Sequence, residues 1–133
     1  MKRTLSVFLA AAALGTPIAA IAAGSASAAT PAAVVVNGHC SKGSLSNLQL
    51  QREDTGKLSV DFGVDMARHT AGVTWKVLAT DNGSPIIATT TRTIADGSFS
   101  VTRLVTPKAG TNTVRALALN PSTLEVCWLS ASI

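Results

Sequence analysis

Tyrosine is absent from this 133-residue chain, tryptophan and cysteine occur twice each, and only 14% of residues are charged. Histidine occurs twice, at His39 and His69, and glutamate twice, at Glu53 and Glu125. Each shortage excludes a chemistry. Two histidines and two cysteines with no C-x-x-C pair give no metal-thiolate or zinc pattern, so neither a metal nor a cofactor is expected. Sparse aromatics leave no stacking platform for sugars or bases. The cations Lys42, Arg52, Lys57, Arg68, Lys76, Arg92, Arg103, Lys108 and Arg115 are scattered without aromatic interleaving, which argues against nucleic acid as a partner.

What is present begins with a leader. Lys2 and Arg3 precede an apolar stretch from Leu5 to Ala23, and Gly24-Ser25-Ala26-Ser27-Ala28 offers an Ala-x-Ala cleavage site. This is the layout of a secretory signal peptide over residues 1–28. Its removal leaves roughly 105 residues, enough for one domain. It also lowers the net charge from +4 to +2, because Lys2 and Arg3 leave and all seven acids stay. The mature chain holds no apolar run long enough to span a membrane. The residue directly after the cleavage site is Ala29 and not cysteine, so lipid attachment is not indicated. The expected destination is extracellular: a secreted chain with a short flexible arm at 29–33 and one domain over 34–133.

An exported chain folds under oxidising conditions, so Cys40 and Cys127 read as a disulfide. A bridge closing so long a loop stabilises by roughly 4–5 kcal/mol in the chain-entropy account. That is a large share of what a domain this small holds.

The remainder follows a two-residue period, the mark of half-buried strands. Leu48 and Leu50 alternate with Asn47, Gln49 and Gln51; Leu58, Val60, Phe62 and Val64 alternate with Ser59, Asp61, Gly63 and Asp65. Further strands are expected at Val34–Cys40, around Val73, Trp75 and Val77, at Ile86–Thr93 on an edge, at Ser98–Val105, Thr113–Leu119 and Val126–Ser132. Asp81-Asn82-Gly83 marks a tight hairpin. Seven or eight short strands with turns every ten or so residues predict an all-β, antiparallel two-sheet sandwich of immunoglobulin-like type, with Trp75 in the core.

The order of these short motifs carries a resemblance. Cys40-Ser41, Leu58-Ser59-Val60-Asp61-Phe62-Gly63-Val64-Asp65, Thr74-Trp75-Lys76-Val77, Asp81-Asn82-Gly83, Gly97-Ser98-Phe99-Ser100-Val101 with Arg103, Ala109-Gly110-Thr111 and Val114-Arg115-Ala116 through Asn120-Pro121 to Cys127 follow one another. In that order they resemble small secreted proteins of actinobacteria, most of unknown function. The resemblance covers nearly all of residues 40–133 and implies a secreted, single-disulfide β-sandwich, with no activity to carry over. Two features depart from it. Outward positions near 117 and 119 are usually polar in such proteins, and a small or polar residue follows the last cysteine; here they are Leu117, Leu119 and Trp128.

Catalytic constellations are thin. Asp65 and His69 flank a loop and form two parts of a triad, but no G-x-S-x-G elbow accompanies them. Glu53 lies in a turn and Glu125 at a strand start, a poor arrangement for paired-carboxylate hydrolysis. Asp61 and Asp65 share the outward face of a strand, where two solvated acids are the simpler reading than a calcium site. No catalytic residue is therefore assigned, and the chain is read as a non-enzyme; a small hydrolase using His69 and Asp65 is the remote alternative.

The last hairpin is more informative. If Asn120–Glu125 forms its connection, Ala118 faces Cys127 and Ala116 faces Leu129 on the inner side. The same register sets Leu119 opposite Val126 and Leu117 opposite Trp128 on the other side. Reversing the faces would bury Arg115 without a partner. Four apolar side chains are thus expected to point outward, and clustered exposure of this kind marks interaction sites. Two covers are open: the N-terminal segment Thr30–Val36 folded across the patch, or a partner. The preferred expectation is a non-enzymatic interaction module that meets a protein, a cell-wall component or a second copy through Leu117, Leu119, Val126 and Trp128. A structural or envelope-associated role without a discrete site is the second.

Overall fold

A computed structural model describes residues 32–133; the expected leader, its cleavage site and residues 29–31 of the arm lie outside the described residues. Eight strands follow one another: β1 (Ala33–His39), β2 (Leu45–Arg52), β3 (Leu58–Asp65), β4 (Thr74–Asp81), β5 (Ser84–Arg92), β6 (Ser98–Val105), β7 (Thr113–Asn120) and β8 (Glu125–Ser132). The bounds of β3 and β6 coincide with the runs of alternation in the sequence. β1 starts one residue earlier than expected, at Ala33, within the stretch read as an arm.

The strands form two four-stranded antiparallel sheets, β1-β2-β3-β6 and β5-β4-β7-β8. The chain leaves the first sheet after β3, builds the β4–β5 hairpin in the second, returns to set β6 beside β3, and crosses again for the β7–β8 hairpin beside β4. As expected from its run of threonines, β5 lies at an edge. The alternating apolar residues of both sheets meet in one core that includes Leu48, Leu50, Phe62, Trp75, Val77, Phe99 and Val114. Trp75 is fully buried and its ring packs on Phe99 with centroids 5.7 Å apart. Burying side chains of this size contributes roughly 1.5–3 kcal/mol each.

Turn chemistry fixes the strand ends. Asn82 and Gly83 both take positive φ, 48° and 87°, as a two-residue hairpin demands. The Asn82 side chain then reaches β7: Thr113 N–H donates to its Oδ1 at 2.8 Å, and its Nδ2 donates to Thr111 O at 3.0 Å. Between β6 and the loop after β3 the chain passes so closely that a Cβ on Gly97 would collide with the His69 backbone. Gly97 also has a φ of 83°.

At one corner the sheets are joined covalently. Cys40, just after β1, bonds Cys127 within β8, and both residues are buried.

Gly97→Ala is expected to destabilise the protein, since it combines left-handed backbone strain of about 1–3 kcal/mol with a collision against backbone that cannot move aside. Chemical denaturation should show the midpoint falling at an unchanged slope; an unchanged midpoint would mean that the 94–98 turn does not rest on the His69 loop.

Candidate interaction surface

The last hairpin is built on Asn120. This residue is fully buried, and its Oδ1 accepts hydrogen bonds from Ser122 N–H at 2.9 Å and Thr123 N–H at 3.3 Å. Leu124 N–H donates to Asn120 O at 2.8 Å, and Leu124 closes the turn at a φ of 63°. The result pairs Asn120 with Glu125, Leu119 with Val126, Ala118 with Cys127, Leu117 with Trp128 and Ala116 with Leu129, as the sequence register requires.

Glu125 begins β8 as a buried carboxylate. Its Oε2 accepts the Ser44 N–H at 2.9 Å and its Oε1 accepts the Ser44 hydroxyl at 3.0 Å. Beside it, Ser41 N–H donates to Val126 O and Val126 N–H donates to Ser41 Oγ, both at 2.9 Å. The turn after β1 is thus stitched to β8 next to the disulfide. No sequence signal distinguished Glu125 from a surface acid, because its partners lie some eighty residues away.

With the register pinned, the faces are decided. Val114, Ala116, Ala118, Cys127, Leu129 and Ala131 point into the core, whereas Leu117 is 38% and Trp128 65% exposed. Leu119 and Val126 share their face and are half-buried. Arg115 is exposed one two-residue step from Leu117 along β7. A further member went unnoticed in the sequence: Leu78 of β4 is 54% exposed and pairs with Leu117. Its signal was available, since it continues the outward register of Thr74 and Lys76. Ala88, Leu78, Leu117 and Trp128 therefore form one row straight across the four strands. A shallow groove of about 710 Å³ runs over this row, lined by Leu78, Thr80, Arg115, Leu117, Trp128 and Ser130.

The expected alternative cover is corrected for the residues described. Ala33–Val36 do not lie on the patch; they are part of β1, paired with β2 in the opposite sheet. Val34 and Val36 turn to the core while Val35 stays in solvent, because the same alternation that writes the strand gives its apolar residues a core of their own.

The outer face of the β1-β2-β3-β6 sheet mixes polar and apolar side chains: Val35, Leu45 and Leu104 are 57%, 49% and 57% exposed on the same outward register as Asp61 and Asp65. Asp61 and Asp65 project from β3 beside a groove of about 820 Å³ whose lining also includes Asn47, Ser100, Leu45, Ile94 and Arg92. Asp61 Oδ1 accepts the hydroxyls of Ser100 and Thr102. Asp65 and His69 approach to 3.4 Å, with side chains 52% and 68% exposed. Among the described residues no serine or threonine hydroxyl is hydrogen-bonded to His69: Ser98 Oγ donates to Asp96 at 2.6 Å, and Thr70 Oγ1 donates to Arg68 O. No group of three or more potential metal ligands forms among the described residues, and no helix among them is long and apolar enough to cross a membrane.

No protein-family description, curated protein or solved structure matches the chain, so the resemblance described above stays with the order of its short motifs.

Two expectations follow from this geometry. Replacing Leu129, whose side chain is in the core, by Ala should cost about 2–5 kcal/mol in urea unfolding, whereas Trp128→Thr one residue away should stay within about 0.5 kcal/mol. Comparable losses would contradict the assigned faces. Separately, hydrogen bonds from the Ser98 hydroxyl and N–H hold the Asp96 carboxyl below its ordinary range, with a smaller contribution from nearby His69. A depressed folded pKa means that the turn's stabilisation is present above the unfolded value and is lost as pH falls through the folded one. NMR titration of Ser98→Ala should show the Asp96 pKa rising; no change would remove Ser98 as the cause.

Proposed function

We propose that this chain is a secreted, non-enzymatic interaction module that meets its partner through the outer face of the last hairpin. The observation that carries the reading is the apolar row of Leu78, Leu117 and Trp128, left in water on strands whose register is held from both ends. Trp128 is the anchor, since large aromatics dominate binding hot spots, and Leu117, Leu119 and Val126 extend its contact. Leaving such side chains exposed forgoes roughly 1.5–3 kcal/mol each, a gain that contact with a partner recovers.

The extracellular assignment is supported by the leader pattern at 1–28 and by a disulfide, a bond that an oxidising compartment favours. The strand order, with β3 beside β6 and β4 beside β7, supports an immunoglobulin-like arrangement, a scaffold that presents surfaces more readily than deep clefts. The hydrolase reading rests on the Asp65–His69 pair alone.

The test is affinity capture with the oxidised protein from the producer's secretome and cell-wall fraction, beside a folded Leu117→Thr/Trp128→Thr variant. A component held by wild type and lost by the variant is expected. Equal capture by both, or capture of nothing, would remove the last hairpin as the interaction surface.

A further inference from the structure

We infer that the outer face of the β5-β4-β7-β8 sheet docks on an anionic lipid surface, with Trp128, Leu117 and Leu78 entering the interface and Lys76 and Arg115 reaching the phosphates. The inference rests on this face being the interaction surface and names the chemistry it meets.

Charge on the face is of one sign. Lys76 and Arg115 are exposed at outward positions of β4 and β7, while the carboxylates of β4, β7 and β8, Asp81 and Glu125, are both buried. Lys76 lies opposite Leu119 and Arg115 opposite Thr80. The two cations therefore flank the Leu78–Leu117 pair on opposite sides, each one two-residue step, about 7 Å, along its strand. Long cationic side chains lay their methylene stems on apolar neighbours while the head stays in a polar layer. Tryptophan belongs at the same headgroup level. An apolar row between two cations thus matches a bilayer interface in depth and in charge, and such docking needs no spanning segment.

The opposite sheet strengthens the assignment. Its outward carboxylates, Asp61 and Asp65, outnumber Arg92, the cation that lines the same groove, so a negative surface potential orients the sandwich with β4, β7 and β8 toward the membrane. The same charges disfavour a second copy as the occupant. Two-fold stacking of this face on itself would set Lys76 and Arg115 against like charges. Head-to-tail stacking on the acidic face would draw on Asp61, which already accepts the Ser100 and Thr102 hydroxyls.

The protein carries its own reporter. Of its two tryptophans, Trp75 is buried and Trp128 exposed, so a change in emission on adding vesicles reports this face. The purified oxidised chain would be titrated with vesicles of phosphatidylcholine and of a phosphatidylglycerol/phosphatidylcholine mixture. Every variant shares the N-terminus of the wild-type exported chain, so that it contributes equally. The expected result is a blue shift on the mixed vesicles that is reversed by salt and absent on phosphatidylcholine alone. Lys76→Ala/Arg115→Ala, which alters only exposed side chains, should weaken it about 25-fold, roughly fivefold per cation, and Trp128→Thr should abolish the shift. An equal shift on both lipids, no shift on either, or indifference to the charge variant overturns the proposal. So does a blue shift that grows with protein concentration without lipid, together with a doubled mass in ultracentrifugation, which would make a second copy the occupant. Absence of vesicle binding beside variant-sensitive capture from the secretome would reject the lipid and retain the interaction surface.

Discussion

The rest of the structure depends on the corner where the segment after β1 meets β8. There the Cys40–Cys127 bond spans a sequence separation of 87 residues, and the buried Glu125 carboxylate takes both the N–H and the hydroxyl of Ser44. The bridge acts chiefly on the unfolded ensemble, contributing about 4–5 kcal/mol by chain entropy. The carboxylate acts on the folded state, since its loss leaves buried donors unsatisfied at about 1–3 kcal/mol each. Together they set β8 in one register against β7 and one facing against the core. A one-residue slip would drive Trp128 inward and Cys127 outward, and the bridge forbids it.

From that constraint comes the asymmetry of the two outer faces. The β1-β2-β3-β6 sheet turns Asp61 and Asp65 to solvent among Val35, Leu45 and Leu104, with Asp61 accepting the Ser100 and Thr102 hydroxyls and Asp65 lying 3.4 Å from His69. The other sheet turns Leu78, Leu117 and Trp128 to solvent between Lys76 and Arg115 and buries its acids. The core does not need these three apolar residues, because Val77, Ala79, Ala116, Ala118 and Leu129 already fill the inner side. Their placement is a property of the surface.

Much of this was legible locally. The bounds of β3 and β6, the Asn82-Gly83 hairpin and the full β7–β8 register follow from two-residue alternation and turn chemistry, both of which act over a few residues. What lay beyond reach was non-local. That β4 pairs with β7 brings Leu78 against Leu117 across some forty residues, and no local period announces it. Glu125 reads as a solvated acid until Ser44 arrives beside it. The fate of Val34–Val36 turned on which sheet would accept the first strand, a choice made by long-range pairing.

The claim on which the account turns is that the outer face of the last hairpin stands in water. Collisional quenching of tryptophan emission by acrylamide in the oxidised protein, compared with Trp128→Thr, measures it directly. Two populations are expected, one readily quenched and one protected, with the quenched population missing from the variant. Uniform protection in the wild-type protein would mean that something already covers Trp128, and the assignment of this face as a free interaction surface would be wrong.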